Sequence, residues 1–417
     1  MTAHKFDIAD LASVLPAGGR TLVAGASGES LLLAQAVSAA RDALGAMTFT
    51  GIFVPGLNRA TYLANPGCRV ETFFMTPELK AAGGVVKFLP LCYDDILERL
   101  RSIRIDAALM MVSPPDEDGM CSFGPCVDFL AELWPSIPVC IAHINPLVPR
   151  TRGHLGIPFS EITAFFEAEQ PLLGDTVGSD SVSEAIAGHI AGFIPDGATI
   201  QTGLGKIPGT ALRALRDRKN LRIHSGLIGD AVVDLEEAGA LAPGAAITAG
   251  VAIGSDRLYR AIIGPAYRFA PVSVTHDART IAALPGFVAI NSALEVDLFG
   301  QAYAELSPSG LMSGPGGASD FARGARMAGG LRIVALPATA ARGAISRIVA
   351  PGAGAGPVSA GRMDIDIVVT EFGAADLRGL TFGERAQALI AIAAPSHHDA
   401  LAAAWRACAT LLQDTTP

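Results

Sequence analysis

Short apolar runs alternate with longer amphipathic stretches along the whole chain. Strands are predicted at the mainly apolar runs "RTLVAGAS", "MTFTGIFV", "DAALMMVS", "VCIAHIN", "ATIQTGLG", "LRIHSGL", "FVAINSALEVDL", "LRIVALPAT" and "DIDIVVTEFG". Helices are predicted between them, for example over "ESLLLAQAVSAARDAL" and "GTALRALRDRK". This alternation predicts an α/β fold with mostly parallel sheets and crossover helices.

A polar segment rich in Gly and Ser, "AEQPLLGDTVGSDSVSEA" at 168–185, divides the alternation into two parts. The stretch "VLPAGGRTLVAGASG" at 14–28 is similar to "FIPDGATIQTGLG" at 193–205, and Gly25 corresponds to Gly203 after a one-residue gap. The similarity indicates either that two strands begin with the same local pattern or that the chain consists of two related α/β halves. We predict two α/β domains, 1–180 and 181–417, because 417 residues suit two cores.

Composition and charge narrow the range of functions. Half of the residues are apolar, 17% are charged and the net charge is −9, without a basic cluster. We therefore expect no nucleic-acid partner. The six cysteines and the histidines show no metal-ligand spacing, and no apolar run reaches the roughly 18 residues typical of a membrane span. The expectation is a cytoplasmic protein without a metal or a membrane partner.

Two glycine-rich turns are candidates for ligand contact. In "IQTGLGKIPGTAL", 200–212, a strand enters a turn with Gly203 and Gly205 and a helix follows; backbone N–H groups in such a turn can bind an oxyanion or a phosphate. It is not a P-loop, because neither Ser nor Thr follows Lys206. In "LMSGPGGASDFARGA", 311–325, the glycines form either a plain turn capped by Asp320 or a second such nest.

The segment "NLRIHSGLIGDAVVDL", 220–235, predicts a strand, a turn and a helix. Ser225 and Gly226 fall at the predicted carboxyl end of the strand, where open α/β sheets place their chemistry. Gly226 has no side chain that could attack or transfer a proton. His224 is either a structural histidine or a general base. In "INSALEVDLFGQ", Glu295 and Asp297 are two positions apart, so they could face the same side of a strand. They are either an acid/base pair or part of an exposed strand face.

Several ordered motifs together resemble one family over nearly the whole chain. They are "VSPPDEDGMCSFG", "NPLVPRTRG", "QTGLGKIP", "INSALEVDLFGQ", "SGPGGASDFARGA", "ISRIVAP", "VVTEFGAADLRG" and "ERAQALIAIAAP". In these motifs the sequence resembles the acetyl-CoA hydrolase/CoA-transferase family, which includes 4-hydroxybutyrate and acetate CoA-transferases. The resemblance implies two related open α/β domains of the NagB/RpiA/CoA-transferase-like kind, with mostly parallel sheets and helices on both faces. It also implies an interdomain active site, usually a homodimer, and coenzyme A handled as an acyl-CoA substrate with a small organic acid.

The resemblance also implies a departure in the active site. In the family, a glutamate in H-[ST]-E-[ML]-I-S-D-G attacks the thioester and forms a glutamyl anhydride and then a glutamyl-CoA thioester. Here that segment reads "HSGLIGDA", so Gly226 stands in the position of the glutamate. Gly229 and Ala231 stand where Ser and Gly are usual, and Ala318 replaces the usual Gln of the second glycine loop. A glutamyl route from residue 226 is therefore excluded, because glycine has no carboxylate.

Three hypotheses remain open. The first is an acyl-CoA enzyme without a covalent glutamyl intermediate, in which the space left at residue 226 admits a second substrate or water. It would exchange acyl or CoA groups with an organic acid, β-keto acids included, or hydrolyse the thioester. The second is a transferase that uses a displaced carboxylate such as Glu295 or Glu305, and the third is a non-catalytic CoA-binding protein. The predicted catalytic positions are Gly203, Gly205, Ser225 and Gly226, and the predicted CoA- or substrate-binding positions are Gln201, Thr202, Leu204, Lys206, Asn291, Gly314, Gly316, Gly317 and Ala318.

Overall fold

The structure is a computed structural model that describes residues 3–176, 178–203, 205–307 and 310–412. Its strands are β1 His4–Lys5, β2 Arg20–Val23, β3 Thr48–Gly51, β4 Arg69–Thr72, β5 Val86–Phe88, β6 Ala107–Val112, β7 Met120–Cys121, β8 Val139–Ile144, β9 Ile157–Pro158, β10 Ala164–Glu167, β11 Thr199–Thr202, β12 Arg222–Ile228, β13 Ile247–Ala252, β14 Tyr267–Phe269, β15 Phe287–Ser292, β16 Glu295–Asp297, β17 Ala302–Tyr303, β18 Leu306–Ser307, β19 Gly310–Leu311, β20 Leu331–Ala335, β21 Thr339–Ala340, β22 Ile345–Ser346, β23 Ile348–Val349, β24 Ile367–Thr370 and β25 Gly373–Asp376.

Helices separate most of these strands. They are α1 Leu31–Ala39, α2 Arg41–Leu44, α3 Pro77–Ala82, α4 Tyr93–Ser102, α5 Leu130–Leu133, α6 Ser181–Ala191, α7 Lys206–Arg213, α8 Ala231–Glu237, α9 Asp256–Ala261, α10 Val272–Thr275, α11 Ala278–Ala282, α12 Ala318–Met327, α13 Phe382–Ala391 and α14 His398–Leu412. In the part of the chain that the structure describes, no helix is long and apolar enough to cross a membrane.

The chain divides into two compact units. The first unit consists of Met1–Thr176 with Ile247–Thr275, and the second consists of Val177–Ala246 with His276–Pro417. The segment 247–275 thus groups with the first unit. The predicted single boundary at residue 180 assigned this segment to the second domain. That the two halves are domains of related fold stays a prediction.

The first unit contains a parallel sheet with the strand order β1-β10-β8-β6-β2-β3-β4-β5. Every residue of β6, "AALMMV", is buried, as expected of a central parallel strand covered on both faces. A core of aliphatic and aromatic side chains, among them Leu33, Phe49 and Phe53, packs in this unit.

The second unit contains strands in the order β12-β11-β15-β20-β24-β25. The pairs from β12 to β24 are parallel where the structure gives their register, and β25 returns antiparallel along β24. The central strand β11 is buried at all four residues. The predicted α/β class with mostly parallel sheets is therefore confirmed.

Each quoted apolar run contains a strand, but some boundaries differ from the prediction. The run "FVAINSALEVDL" contains two strands, β15 and β16, because the chain leaves the large sheet after Ser292 and β16 joins a small sheet with β17 and β23. Strand β12 continues through Ile228, two residues beyond Gly226, so the predicted turn at Ser225–Gly226 is wrong. The last residues of the predicted linker form the start of α6, where Asp180 caps the helix.

Candidate active site

The turn after β11 leaves room on its outer side. At Gly203, a Cβ would meet no heavy atom within 4 Å in the described part of the chain outside its own neighbours. Gly205 has φ +115° and ψ −179°, a conformation essentially confined to glycine, and it precedes α7 without a side-chain cap. The first N–H groups of α7 therefore lack a side-chain acceptor, which suits an anion. Leu204, a predicted binding position, lies outside the described residues.

Lys206 contacts a carboxylate of its own unit. Its Nζ lies 2.7 Å from Oδ2 of Asp180, and both side chains are about half exposed. The hydrogen bond from Lys206, together with those from Ser183, lowers the pKa of Asp180 to about 2. This ion pair joins the start of α7 to the cap of α6, so Lys206 has a partner without any ligand.

The space beside Gly226 is filled by an imidazole ring. A Cβ placed on Gly226 would lie 2.5 Å from Cε1 and 2.6 Å from Nε2 of His276, and its three nearest heavy atoms all belong to that ring. Such distances are far below van der Waals contact, so no side chain fits at residue 226 while His276 stays where it is. The expectation that losing the glutamate leaves room for a second substrate or water at this position is therefore wrong.

The same ring also touches the second glycine loop. A Cβ on Gly317 would lie 2.6 Å from both Cδ2 and Nε2 of His276, and 3.1 Å from Cε2 of Phe321. The His276 ring therefore lies between the backbones of Gly226 and Gly317, with Nε2 close to both. Its centroid is 4.7 Å from that of Phe321, so the ring is held against an aromatic side chain as well.

Burial keeps this imidazole neutral. His276 is 3% exposed, and desolvation, followed by the charge of nearby His224, lowers its pKa to about 3. His224 is also buried and packs edge-on against Phe287. At neutral pH His276 can therefore donate through one ring nitrogen and accept through the other.

Strand register brings several predicted residues to the same face of the sheet. Ile200 pairs with Ile223 and Gln201 pairs with Ala289, so the next residue after Ile223, His224, faces the same way as Gln201. Two residues further along their strands, Gly226 and Asn291 continue this face. Here Nε2 of Gln201 donates to Oδ1 of Asn291 at 3.4 Å. Oε1 of Gln201 is buried and has no hydrogen-bond partner among the described residues.

Ser225 points to the opposite face of β12. Its hydroxyl lies within hydrogen-bond distance of two backbone oxygens, that of Thr202 at 2.7 Å and that of Leu227 at 2.8 Å. Both Ser225 and Thr202 are buried. The structure thus gives Ser225 a role in joining β11 to β12, and a catalytic role for it stays a prediction.

The second glycine loop ends at a helix start. Gly316 has φ +61°, Gly317 is the N-cap of α12 without a side-chain hydrogen bond, and Ala318 is the first helical residue. Gly314 is buried in the same loop. Because the first N–H groups of a helix carry partial positive charge, this end of α12 favours negative charge next to His276.

The two carboxylates proposed as displaced nucleophiles accept hydrogen bonds from residues that are distant in sequence. Oε2 of Glu295 accepts the N–H of Ala355 at 2.8 Å, and Oε1 of Glu305 accepts the hydroxyl of Ser359 at 2.9 Å. Asp297 is fully buried, and its carboxylate accepts five hydrogen bonds, from the N–H groups of residues 299, 301 and 352, the Gln301 amide and the Tyr303 hydroxyl. An acid/base pair of Glu295 and Asp297 is not supported by these contacts.

Sequence reasoning missed His276. It follows Gly226 by about 50 residues and belongs to no quoted motif. Only the fold brings it to that position, just before α11 and against the start of α12. The one available signal was the unusual absence of a side chain at residue 226.

Comparisons with known proteins agree with this architecture. The family profile described as "Acetyl-CoA hydrolase/transferase C-terminal domain" matches residues 254–405. The chain is 38% identical to the 4-hydroxybutyrate coenzyme A transferase of Clostridium kluyveri over 72% of each protein. It is 36% identical to the succinyl-CoA:cyclohexane-1-carboxylate CoA transferase of Geobacter metallireducens over 82% of this chain and 81% of that protein. The crystal structure of RipA from Yersinia pestis superimposes with a TM-score of 0.90 at 29% identity and 97% coverage of both chains. The chain belongs to the acetyl-CoA hydrolase/transferase family.

Proposed function

We propose that this chain transfers acyl or CoA groups between a CoA thioester and a small organic acid without a glutamyl intermediate. The observation that carries the proposal is the His276 ring beside Gly226. It takes the volume that a side chain at residue 226 would need, so that no carboxylate of the enzyme can stand there. The names of the relatives, which act on CoA esters of small acids, support the substrate class.

The acid substrate can perform the attack that an enzyme carboxylate otherwise performs. Its carboxylate oxygen adds to the thioester carbon, the C–S bond breaks, and CoA thiolate and a mixed anhydride result. The thiolate then adds to the other carbonyl of the anhydride and expels the first acid as its carboxylate. Atoms and charge balance without any proton transfer, and both substrates must be bound together.

Positioning of the two substrates and backbone hydrogen-bond donors can supply the rate acceleration. Holding two reactants in register contributes on the order of 7–11 kcal/mol, and one oxyanion donor about 3–4 kcal/mol. Backbone N–H groups are available at the starts of α7 and α12, because the N-cap residues Gly205 and Gly317 have no side chain that could accept a hydrogen bond from them. Gln201 and Asn291 supply amide groups on the same face, and we propose that all these groups contact the acyl-CoA or the acid. The cytoplasmic location, expected from the composition, and the homodimer, implied by the resemblance, are further parts of the proposal.

Three alternatives compete with this proposal. Hydrolysis needs a base for water, and the most prominent imidazole, His276, holds protons only weakly, with a pKa of about 3. A displaced carboxylate would have to leave the hydrogen bonds that Glu295 and Glu305 make. A non-catalytic CoA-binding protein would keep the fold and lose turnover altogether.

Isotope transfer in a single turnover tests the proposal. The purified chain, in excess over acyl-CoA, is mixed with an acceptor acid that carries ¹⁸O in its carboxylate. Direct attack moves one ¹⁸O into the released acid in the first turnover. A glutamyl route would release unlabelled acid first and leave the label on the protein.

Substrate choice and trapping complete the experiment. A panel of acetyl-, butyryl-, succinyl- and 4-hydroxybutyryl-CoA is tested against acetate, succinate and water. With any active pair we expect intersecting initial-rate lines, and no protein mass change after acyl-CoA and borohydride. A trapped glutamate would overturn the proposed route. The absence of turnover with every pair of substrates would favour the hypothesis of a non-catalytic CoA-binding protein.

A further inference from the structure

We propose that an arginine pair, Arg362 and Arg385, forms a binding site for a phosphate-type oxyanion in the second unit. The pair lies at the edge of the sheet opposite to the glycine turn that follows β11. Arg362 precedes the start of β24, which runs parallel to the strands of this sheet, and β25 runs back antiparallel before α13 begins. The site is therefore separate from the predicted catalytic positions, and its occupancy does not depend on the proposed acyl transfer.

One aromatic ring brings the two arginines together. Cζ of Arg362 lies 5.9 Å from the centroid of the Phe382 ring. Phe382 and Arg385 are three residues apart in α13, so their side chains are neighbours on one face of that helix. Phe299 packs against Phe382 with the ring centroids 5.6 Å apart, which helps to hold the ring in place. Burial, followed by the positive charge of Arg362, lowers the pKa of Arg385, so the two guanidinium groups are close enough to repel each other.

The arginine pair has no counter-ion among the described residues. Neither guanidinium group forms an ion pair or a hydrogen bond with a described residue. The carboxylate of Asp366 accepts hydrogen bonds from Nε of Arg332 at 2.9 Å and from its Nη2 at 2.5 Å. Oε2 of Glu384 accepts the N–H and the hydroxyl of Thr381, each at 2.8 Å. The carboxylates next to the pair are thus engaged by other groups.

Part of the Arg385 guanidinium is also removed from water. Its Nη1 is buried and has no hydrogen-bond partner in the described part of the chain. A Cβ on Gly300 would lie 3.2 Å from this atom, so the turn between β16 and β17 covers it. Arg385 as a whole is partly exposed, so solvent reaches the rest of the residue. A partly desolvated cation without a counter-ion is destabilising, and an anion from solvent would remove that cost.

The chemistry of the pair selects the ligand. A guanidinium presents a planar fork of N–H donors that matches the oxygen atoms of a phosphate group. Two positive charges favour a ligand with about two negative charges, and a phosphate monoester carries about −1.5 to −2 at pH 7. Arg326 and Arg332 donate to the carbonyl oxygen of Met363, at 3.3 and 2.6 Å, and so fix the turn that carries Arg362. The first arginine is therefore held in place before any ligand binds.

Binding of phosphate to the wild-type protein is the first measurement. Inorganic phosphate and ethyl phosphate are titrated in HEPES at constant ionic strength, without CoA, while the heat of binding and the Tm are recorded. Phosphate should bind saturably and raise the Tm, because a ligand of the folded state stabilises it. Ethyl phosphate distinguishes two sources of the ligand. Equal binding indicates the phosphate group of a larger molecule, and weaker binding indicates the free ion.

Substitution of each arginine locates the binding. Arg362→Gln and Arg385→Gln should each weaken phosphate binding about tenfold or more, since each removes charge-assisted hydrogen bonds. The matched control, Arg378→Gln, removes the same charge from an exposed arginine whose Nη2 lies 2.6 Å from Oδ2 of Asp376, and it should bind phosphate like wild type. The Tm difference between wild type and Arg385→Gln should grow as phosphate is added. An arginine with only a structural role would give the same difference at every phosphate concentration.

Chemical protection of the wild-type protein requires no variant. Phenylglyoxal modifies arginine side chains, and peptide mass spectrometry reports the extent at each residue. Saturating phosphate should slow the modification of Arg362 and Arg385 and leave that of Arg378 unchanged. If a variant does not fold, this measurement decides.

Three results would overturn the site. They are the absence of saturable binding of either phosphate compound, a loss of binding in Arg378→Gln as large as in the two pair variants, and equal modification of Arg362 and Arg385 with and without phosphate. None of these results bears on the acyl transfer, which the ¹⁸O and trapping experiments test.

Discussion

The chain contains two strand–glycine turns of similar sequence with different surroundings. β2 leads to Gly25 in the first unit, and β11 leads to Gly203 in the second. Each strand is central in a parallel arrangement, β2 between β6 and β3, and β11 between β12 and β15. At Gly25, a Cβ would lie 1.9 Å from the carbonyl oxygen of Ile52, whereas at Gly203 it would meet nothing within 4 Å in the described structure.

The two turns show that the same sequence pattern can serve close packing in one place and leave room for a ligand in another. In the first unit, glycine lets the backbone of Ile52, the residue after β3, approach closely. Next to that turn, the buried carboxylate of Glu29 has its hydrogen-bond partners within the protein, because it accepts hydrogen bonds from Asn58 and Tyr62, each at 2.8 Å. In the second unit, the turn leaves open space and Gln201 has an unpartnered oxygen. Open space and an unpartnered buried oxygen are features of a binding site at the second turn.

The largest expected effect separates the two glycines directly. Gly25→Ala forces a methyl group into a backbone oxygen and should lower the free energy of unfolding by about 3–5 kcal/mol. Gly203→Ala has space and should change it by less than about 1 kcal/mol. Urea unfolding of both variants measures the difference. Equal losses would mean that the two turns are packed alike.

The second effect concerns the ring beside Gly226. Gly226→Ala places a methyl group 2.5 Å from His276 and should lower stability by about 2–4 kcal/mol. In a His276→Ala background, the same change should cost about 1 kcal/mol or less, because the obstacle is gone. A double-mutant cycle on thermal unfolding measures the coupling. Additive losses would place the ring away from residue 226.

The position of His276 also marks how far sequence reasoning can go. Alternating apolar runs locate the strands, because burial in a parallel sheet leaves a local signature. Ordered motifs locate the glycine loops and predict that Gly226 stands in the position of the family's glutamate. The ring that fills the space comes from a segment without periodicity or motif, and long-range packing leaves no local signature. For the same reason the close approach of Ile52 to Gly25 could not be predicted.

The third effect uses pH to compare the two units. In the first unit, burial raises the pKa of Asp128 to about 8, whereas burial lowers that of His276 in the second to about 3. The folded Asp128 holds a proton that the unfolded chain releases near pH 4, so its contribution to stability is lost as pH rises from about 4 to 8. The unfolded His276 gains a proton below about pH 6.5 that the folded ring refuses, so its contribution is lost as pH falls from there toward 3.

Substitution tests each direction of this pH dependence. Asp128→Asn should flatten the loss of stability between about pH 4 and 8, and His276→Asn should flatten the loss below about pH 6.5. Midpoints of unfolding from pH 4 to 9 measure both. The neighbouring titratable groups, Cys126 beside Asp128 and His224 beside His276, stay unchanged in these variants. A curve that keeps its shape after either substitution would assign the dependence to those neighbours.

The smallest effect is one that the two turns share. Thr21 precedes Gly25 by four residues and Thr199 precedes Gly203 by four, and both hydroxyl groups are buried without a hydrogen-bond partner in the described structure. Removing an unpartnered buried hydroxyl relieves a desolvation cost, so Thr21→Val and Thr199→Val should each raise stability by up to about 1 kcal/mol. The control is Ser225→Ala, whose hydroxyl has two carbonyl oxygens within hydrogen-bond distance and whose loss should cost about 1 kcal/mol. Urea midpoints compare the three variants. If valine destabilises one turn and not the other, an unseen partner, such as a buried water, satisfies that threonine, and the two strands differ in their interiors as well as at their glycines.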